Sequence, residues 1–361
     1  VTINAGTSSV KIGDVGDSGH LQIHDLTISG DAGITLTGNI YTSADSSSAG
    51  DVTFNDKVII DGAVSIDTDN TGDTTSTDGI IKFTTSIQSE TNGTDSLTLT
   101  SGAGTITLVE VGGSSKPLTS FVSTSNALAL STDITTTGAI TINAPITLAS
   151  SPTITTTTGN ITFGNKVDGD NNLVIASTSG NVEFQNKVGT VDPFGNLEIF
   201  KTAGSGTVTF SNDIGTTSAF GVEVLNIGFA SAGSGTSQTD VGEVTFSGSA
   251  YNASGQFKVQ SSNIVIDGST PQFITNTGCT GLCFELRDGN VNLATGSDLT
   301  IEAGKGHSST MVVVIEGSIV GPSSGTPVDI SITNETTASA SNSITLNGDS
   351  NKTIGTGIND V

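Results

Sequence analysis

Residues 159–199 carry nearly the same sentence twice, and this self-similarity constrains the chain more than any other feature. Gly159-Asn160-Ile161-Thr162-Phe163 is answered by Gly180-Asn181-Val182-Glu183-Phe184, Asn165-Lys166-Val167 by Asn186-Lys187-Val188, and Leu173-Val174-Ile175 by Leu197-Glu198-Ile199. Repetition at a spacing of roughly 20–50 residues marks an array of stacked units. Within each copy apolar residues alternate with others: Ile161 and Phe163 face one way, Thr162 the other. Period two is the signature of a strand. Two or three strands of about four residues cannot bury a face alone. Stacked on its neighbours, each unit adds its inward residues to a shared interior and pairs its backbone with the next copy.

The motif recurs with variations that end in Phe54, Phe83, Leu108, Ile142, Phe163, Phe184, Phe210 and Phe246, at intervals of 29, 25, 34, 21, 21, 26 and 36 residues. The loose period fits one coil of a β-solenoid whose loops vary. Residues 1–49 read as opening coils, 50–262 as the best-patterned repeats, and 263–361 as less regular coils with a Cys-containing loop insertion, all in a single solenoid over 1–361. Phe54, Phe83, Phe163, Phe184, Phe210 and Phe246 are expected to stack as an internal ladder. Pro145 and Pro152 are expected at coil corners, because proline cannot donate to a sheet ladder.

Gly, Ser, Thr, Asn and Asp supply turns while Val, Ile and Thr fill the alternating runs, and no helical period of three turns is found. The net charge is −24 and Arg287 is the single arginine. Nucleic-acid binding needs many Lys and Arg to displace phosphate counterions, so it is excluded as a reading. An anionic membrane surface is disfavoured on the same ground, and no apolar run is long enough for a transmembrane helix. The chain opens inside the pattern at Val1-Thr2-Ile3-Asn4, as a mature or excised segment of something larger would.

Three features carry candidate chemistry. In Asp67–Asp78, the carboxylates Asp67, Asp69, Asp73 and Asp78 stand at positions 1, 3, 7 and 12, with Gly72 at 6. That is close to a Ca²⁺ loop, in which oxygens converge on one hard cation; the plainer alternative is an acidic turn. Cys279 and Cys283 are the only cysteines. They read as a local disulfide if the segment is extracellular, or as free thiols otherwise. His20 and His24 share a strand face but have no third ligand. N-glycosylation sequons begin at Asn92, Asn252, Asn334 and Asn351, among others. No catalytic constellation is found, and no enzyme is expected.

The units Gly159–Ile175 and Gly180–Ile199, of the form G-N-[IV]-x-F-x-N-K-V followed by L-x-I, resemble the repeats of very large bacterial surface proteins of the filamentous-haemagglutinin-like, β-strand-repeat type. The match covers about residues 50–260. The resemblance implies a right-handed parallel β-helix, extracellular and displayed at the cell surface, with no catalytic residues. Roughly 13–15 coils at about 4.8 Å each would give a rod about 60–70 Å long. The expected role is the rod of an adhesin, or a subunit of a surface filament or sheath, associating head to tail or laterally or touching cell-surface glycans. The alternatives are a carbohydrate-binding or polysaccharide-active β-helix protein, and a Ca²⁺-dependent surface-layer component.

Overall fold

The computed structural model describes residues 1–17, 23–42, 50–69, 78–192, 194–201, 206–216, 221–229, 241–275, 281–307, 311–323, 328–336 and 343–346. The protein is all-β, with 55% of it in strands and no helix among the described residues. It forms two compact units, Val1–Asn165 and Lys166–Val361. The boundary falls inside the Asn165-Lys166-Val167 segment of the most regular repeat.

In the first unit, strands one coil apart pair in parallel and in register, in three columns. The first column carries Thr2–Asn4, Leu26–Ser29, Val52–Phe54, Ile81–Phe83, Thr105–Thr107, Ala127–Leu130 and Ile146–Leu148. The second runs through Val10–Ile12, Ile34–Leu36, Val58–Ile60 and Ile87–Ser89. It narrows to a single bridge at Val111 before Ile134–Thr136 and Thr153–Thr156. The third links Ala63–Asp67, Ser96–Thr100, Ser120–Thr124, Ile140–Ile142 and Ile161–Phe163. Because the register offset is zero, inward residues stack on inward residues: Val52 on Ile81, Phe54 on Phe83, Leu97 on Phe121. All six are buried. Consecutive rungs share both their backbone pairing and their interior, which is how a β-solenoid hides apolar residues in a coil too thin for a core of its own.

The second unit keeps this pairing with longer strands. Leu173–Ser177, Phe194–Lys201 and Val222–Ile227 form one column. Val182–Phe184, Thr207–Phe210 and Glu243–Phe246 form another. Both columns run into Phe257–Ile266, which pairs with Val222–Ile227 through its first half and with Glu243–Phe246 through its second. Gly281–Leu293 lies along it for most of its length, so that two strands and the corner between them have merged into one bent strand. The third column passes through Ala250–Ala253, Gln272–Thr275 and Leu299–His307.

The Gly that opens each motif has a steric reason. A Cβ on Gly104 would lie 2.2 Å from the carbonyl oxygen of Gly79, and one on Gly206 would lie 2.5 Å from that of Gly180. At this corner the backbone of one rung rests directly on that of the last, and only glycine leaves room. Pro145 and Pro152 sit at corners, before Ile146–Leu148 and Thr153–Thr156, where no ladder donor is lost.

Candidate functional surfaces

Two sets of polar groups hold the corners between strands, and both were missed by reading the sequence. The first set is Asp and Asn side chains that accept a backbone N–H from the next rung. Asp14 accepts from Asn39 at 2.8 Å, and Asn39 from Ser65 at 2.9 Å. Asp25 accepts from Asp51, and Asp51 from Ile80, each at 3.0 Å. In the second unit Asp168 accepts from Thr190 and Val191 at 2.7 and 3.0 Å, and Asp213 from Ser249 and Ala250 at 2.8 and 3.1 Å. Corner amides have no strand partner, and a carboxylate or amide oxygen continues the ladder around the bend. Lys166 and Lys187 of the repeated Asn-Lys-Val triplet pair with Asp168 and Asp213 at 3.3 and 3.2 Å. These aspartates thereby have a structural role.

The second set lies inside the corners. Thr68 Oγ1 donates to the carbonyl of Gly79 at 2.7 Å, and Ser177 Oγ to that of Gly180 at 3.1 Å. Lys201 stacks on Ser177 in register and donates Nζ to the same Gly180 carbonyl. It is fully buried, and burial pushes its pKa down to about 8.

Of the four carboxylates expected to hold Ca²⁺, Asp73 lies outside the described residues. The other three come together. Asp67 Oδ1 accepts the backbone N–H of Asp69 at 2.9 Å, and Asp78 Oδ2 that of Ala103 at 2.7 Å. A Cβ placed on Gly102 would lie 2.3 Å from Asp78 Oδ2 and 2.8 Å from Asp69 Oδ1, so both carboxylates crowd one glycine. Burial raises the Asp67 pKa above the usual carboxylate value, and the charges of Asp69 and Asp78 add to the rise; Asp69 is raised by burial and then by Asp78. Among the described residues no group of three or more His, Cys, Asp or Glu is placed to hold a metal ion.

Asp95 is the opposite case. Burial alone would raise its pKa. The Ser89 hydroxyl at 2.5 Å and the amides of Gly62 and Thr91 at 2.7 and 3.1 Å outweigh burial and hold it below the usual range.

The expected phenylalanine ladder is not one continuous stack: in the first unit Phe54 and Phe83 stack in the first column, whereas Phe163 lies in the third, in register with Ile142. Phe54 and Phe83 stack with ring centres 4.8 Å apart, Phe184 and Phe210 at 5.0 Å, and Phe210 and Phe246 at 5.6 Å. Phe163 is also buried. Unforeseen is the aromatic cluster beyond Phe246, where Tyr251, Phe257, Phe273 and Phe284 meet edge to face and in stacks.

Cys283 is disulfide-bonded and buried; Cys279, the only other cysteine of the sequence, lies outside the described residues. The expectation of a loop off the regular path does not hold at Cys283. It sits within Gly281–Leu293, where the register against Met311–Ile315 shifts between Leu282 and Phe284. An irregularity of one residue accommodates the buried Cys283 without breaking the ladder. Pro271 likewise precedes a paired strand, Gln272–Thr275. His24 is exposed, and His20 lies outside the described residues. The Asn252 sequon is closed to glycosylation in the folded chain: Asn252 is 4% exposed and its Nδ2 donates to the Thr216 carbonyl. Asn92 is exposed. Among the described residues no helix is long and apolar enough to cross a membrane.

Compared with known proteins, the sequence matches no family model and no curated protein, and the fold matches no solved structure.

Proposed function

We propose that this chain is a non-catalytic structural segment of a large extracellular surface protein of the filamentous-haemagglutinin-like, β-strand-repeat type. On this reading its coils wind as a right-handed β-helix. It works as a stiff spacer or as the subunit of a surface filament, through head-to-tail or lateral association. The observation that carries the reading is the use to which the acidic side chains are put. Asp14, Asp25, Asp51, Asp168 and Asp213 spend their oxygens on backbone amides of the next rung, and so serve the continuity of the ladder. A ladder carried around its corners resists bending and pulling, which is what a spacer requires. The disulfide bond at Cys283 supports an oxidising, extracellular setting.

Negative-stain electron microscopy of the purified chain tests the proposal. Straight rods, or fibres that lengthen with protein concentration, are expected; round particles of uniform diameter would overturn it.

A further inference from the structure

The second column of the first unit is interrupted once, and the interruption opens a hollow. At Val111 the ladder holds by two bonds of 2.8 Å, from the Ile87 amide to the Glu110 carbonyl and from the Gly112 amide to the Ile87 carbonyl. It resumes where the Ser89 amide donates to the Lys116 carbonyl at 3.1 Å. Between these points the chain leaves the sheet through Gly112 and Gly113, with φ of +87° and +49°. Gly112 admits no other residue, since a Cβ there would lie 1.9 Å from the Thr135 carbonyl oxygen. The detour borders an open hollow of about 240 Å³ beside the Ile87–Ser89 strand, lined by Gln88, Glu110, Gly113, Ser114, Ser115 and Lys116, of which Glu110, Ser114 and Ser115 are exposed. Departures from a repeat that leave its core intact are where such arrays carry binding sites.

We infer that this hollow binds a single neutral sugar unit of a glycan. Its lining residues supply both acceptors and donors, as vicinal hydroxyls require: Glu110 and Gln88 beside Ser114 and Ser115. A carboxylate that accepts two sugar hydroxyls makes the stronger, charge-assisted kind of hydrogen bond. An anion fits poorly. The Glu110 carboxylate lies within 3.1 Å of the position a Cβ would take on Gly113, at the same loop; Lys116 Nζ donates to the Glu90 carbonyl; and the chain carries a net charge of −24. The volume holds roughly eight waters at about 30 Å³ each, room for one ring and not for an oligosaccharide. Affinity for one unit therefore falls in the millimolar range, and repeated display along a surface would raise it. The inference adds to the structural role without resting on assembly: fibres that bind no sugar would sink it alone.

The test is a titration of the isotope-labelled full chain with the methyl glycosides of glucose, galactose, mannose and N-acetylglucosamine, each to about 100 mM, followed by amide chemical shifts. At least one sugar is expected to move the amides of 86–88 and 110–116 and few others. Glu110→Gln should weaken that binding by about tenfold or more with an unchanged melting curve. If that variant melts early, Ser115→Ala replaces it with the same expectation of weaker binding. No movement of these amides with any of the four sugars overturns the inference. So does undiminished binding by a folded variant, or a response of the same amides to sodium sulfate but not to sugars.

Discussion

The narrowest coils of the first unit and the widest of the second use the same pairing to enclose different interiors. Val122 pairs with Thr141 and Thr141 with Thr162, steps of 19 and 21 residues. Asn226 pairs with Lys258, Lys258 with Glu285 and Glu285 with Val314, steps of 32, 27 and 29. In the narrow coils the strands are mostly three or four residues long, and Ile140, Ile142, Ile146, Leu148, Ile154 and Ile161 fill the centre with two rings, Phe121 and Phe163, among them. In the wide coils strands reach 10 and 13 residues, and rings fill the centre. Phe273 alone meets Phe246, Tyr251, Phe257 and Phe284 at centroid distances of 4.7–6.0 Å. A longer coil encloses more cross-section, and interiors pack to the density of organic crystals. Larger side chains must make up the difference.

The sharpest way to break this comparison is to exchange the two interiors. Phe246→Ala removes a ring that touches four others and should cost about 3–5 kcal/mol, concentrated in the adjacent rungs. Ile140→Phe forces a ring into a space that isoleucine already fills, at a cost of about 1–3 kcal/mol. Native-state hydrogen exchange reads both losses rung by rung. A neutral Ile140→Phe would mean that the narrow interior is loosely filled, and width would no longer explain the aromatics.

A second test concerns the corner at which Lys201 lies over Ser177. The wider coil buries a lysine where its neighbour buries a serine. The folded pKa of about 8 lies below the ordinary 10.5, so the folded chain disfavours the charged form. The cost is fully present below pH 8 and is relieved as pH rises from 8 towards 10.5, with a span on the order of 3 kcal/mol. Lys201→Met removes this cost and also the bond to the Gly180 carbonyl, for a net gain of about 1 kcal/mol at pH 7. Thermal melting of both proteins at pH 7 and pH 10 should show the advantage of the variant shrinking with pH. An advantage that is the same at both values would place the lysine charge elsewhere than in the core.

These contrasts also mark what was readable beforehand. The parallel columns and the stacking of Phe54 on Phe83 follow from period two and from a motif that ends each strand in the same residue. Tyr251, Phe257, Phe273 and Phe284 occupy different motif positions, so nothing in their spacing revealed that they meet. The corner roles of Asp25, Asp51 and Lys201 were hidden for a related reason. A corner residue is defined by what lies one coil away, 24–29 residues along the chain, and alternation within a strand says nothing about it. Cys283 was assigned to a loop because TGCTGLCF has the composition of one, yet its second half joins a 13-residue strand whose partners set its conformation. The hollow at Gly113 was equally invisible, since an interrupted column is recognisable only against its intact neighbours.

The smallest expected effect separates two sets of carboxylates within the first unit. Asp95 is held ionised by Ser89, Gly62 and Thr91, whereas Asp67 is raised by burial and by the charges of Asp69 and Asp78, and Asp69 by burial and by Asp78. A raised carboxylate stabilises the fold below its unfolded pKa of 3.8 and loses that contribution as pH climbs through the folded value; above it the mutual repulsion remains. Asp69→Asn relieves it and should stabilise the chain at pH 7 by a few tenths of a kcal/mol, since the group is largely solvated. The gain should shrink towards pH 3, as the raised Asp67 and Asp69 take up their protons. Melting curves with chelator and with millimolar Ca²⁺ extend the measurement. A bound Ca²⁺ would turn the repulsion into ligation and reverse the sign, so that Asp69→Asn destabilises in Ca²⁺ alone. Equal midpoints in the two buffers, with the variant the more stable in both, would leave these carboxylates as an acidic corner whose repulsion the ladder tolerates.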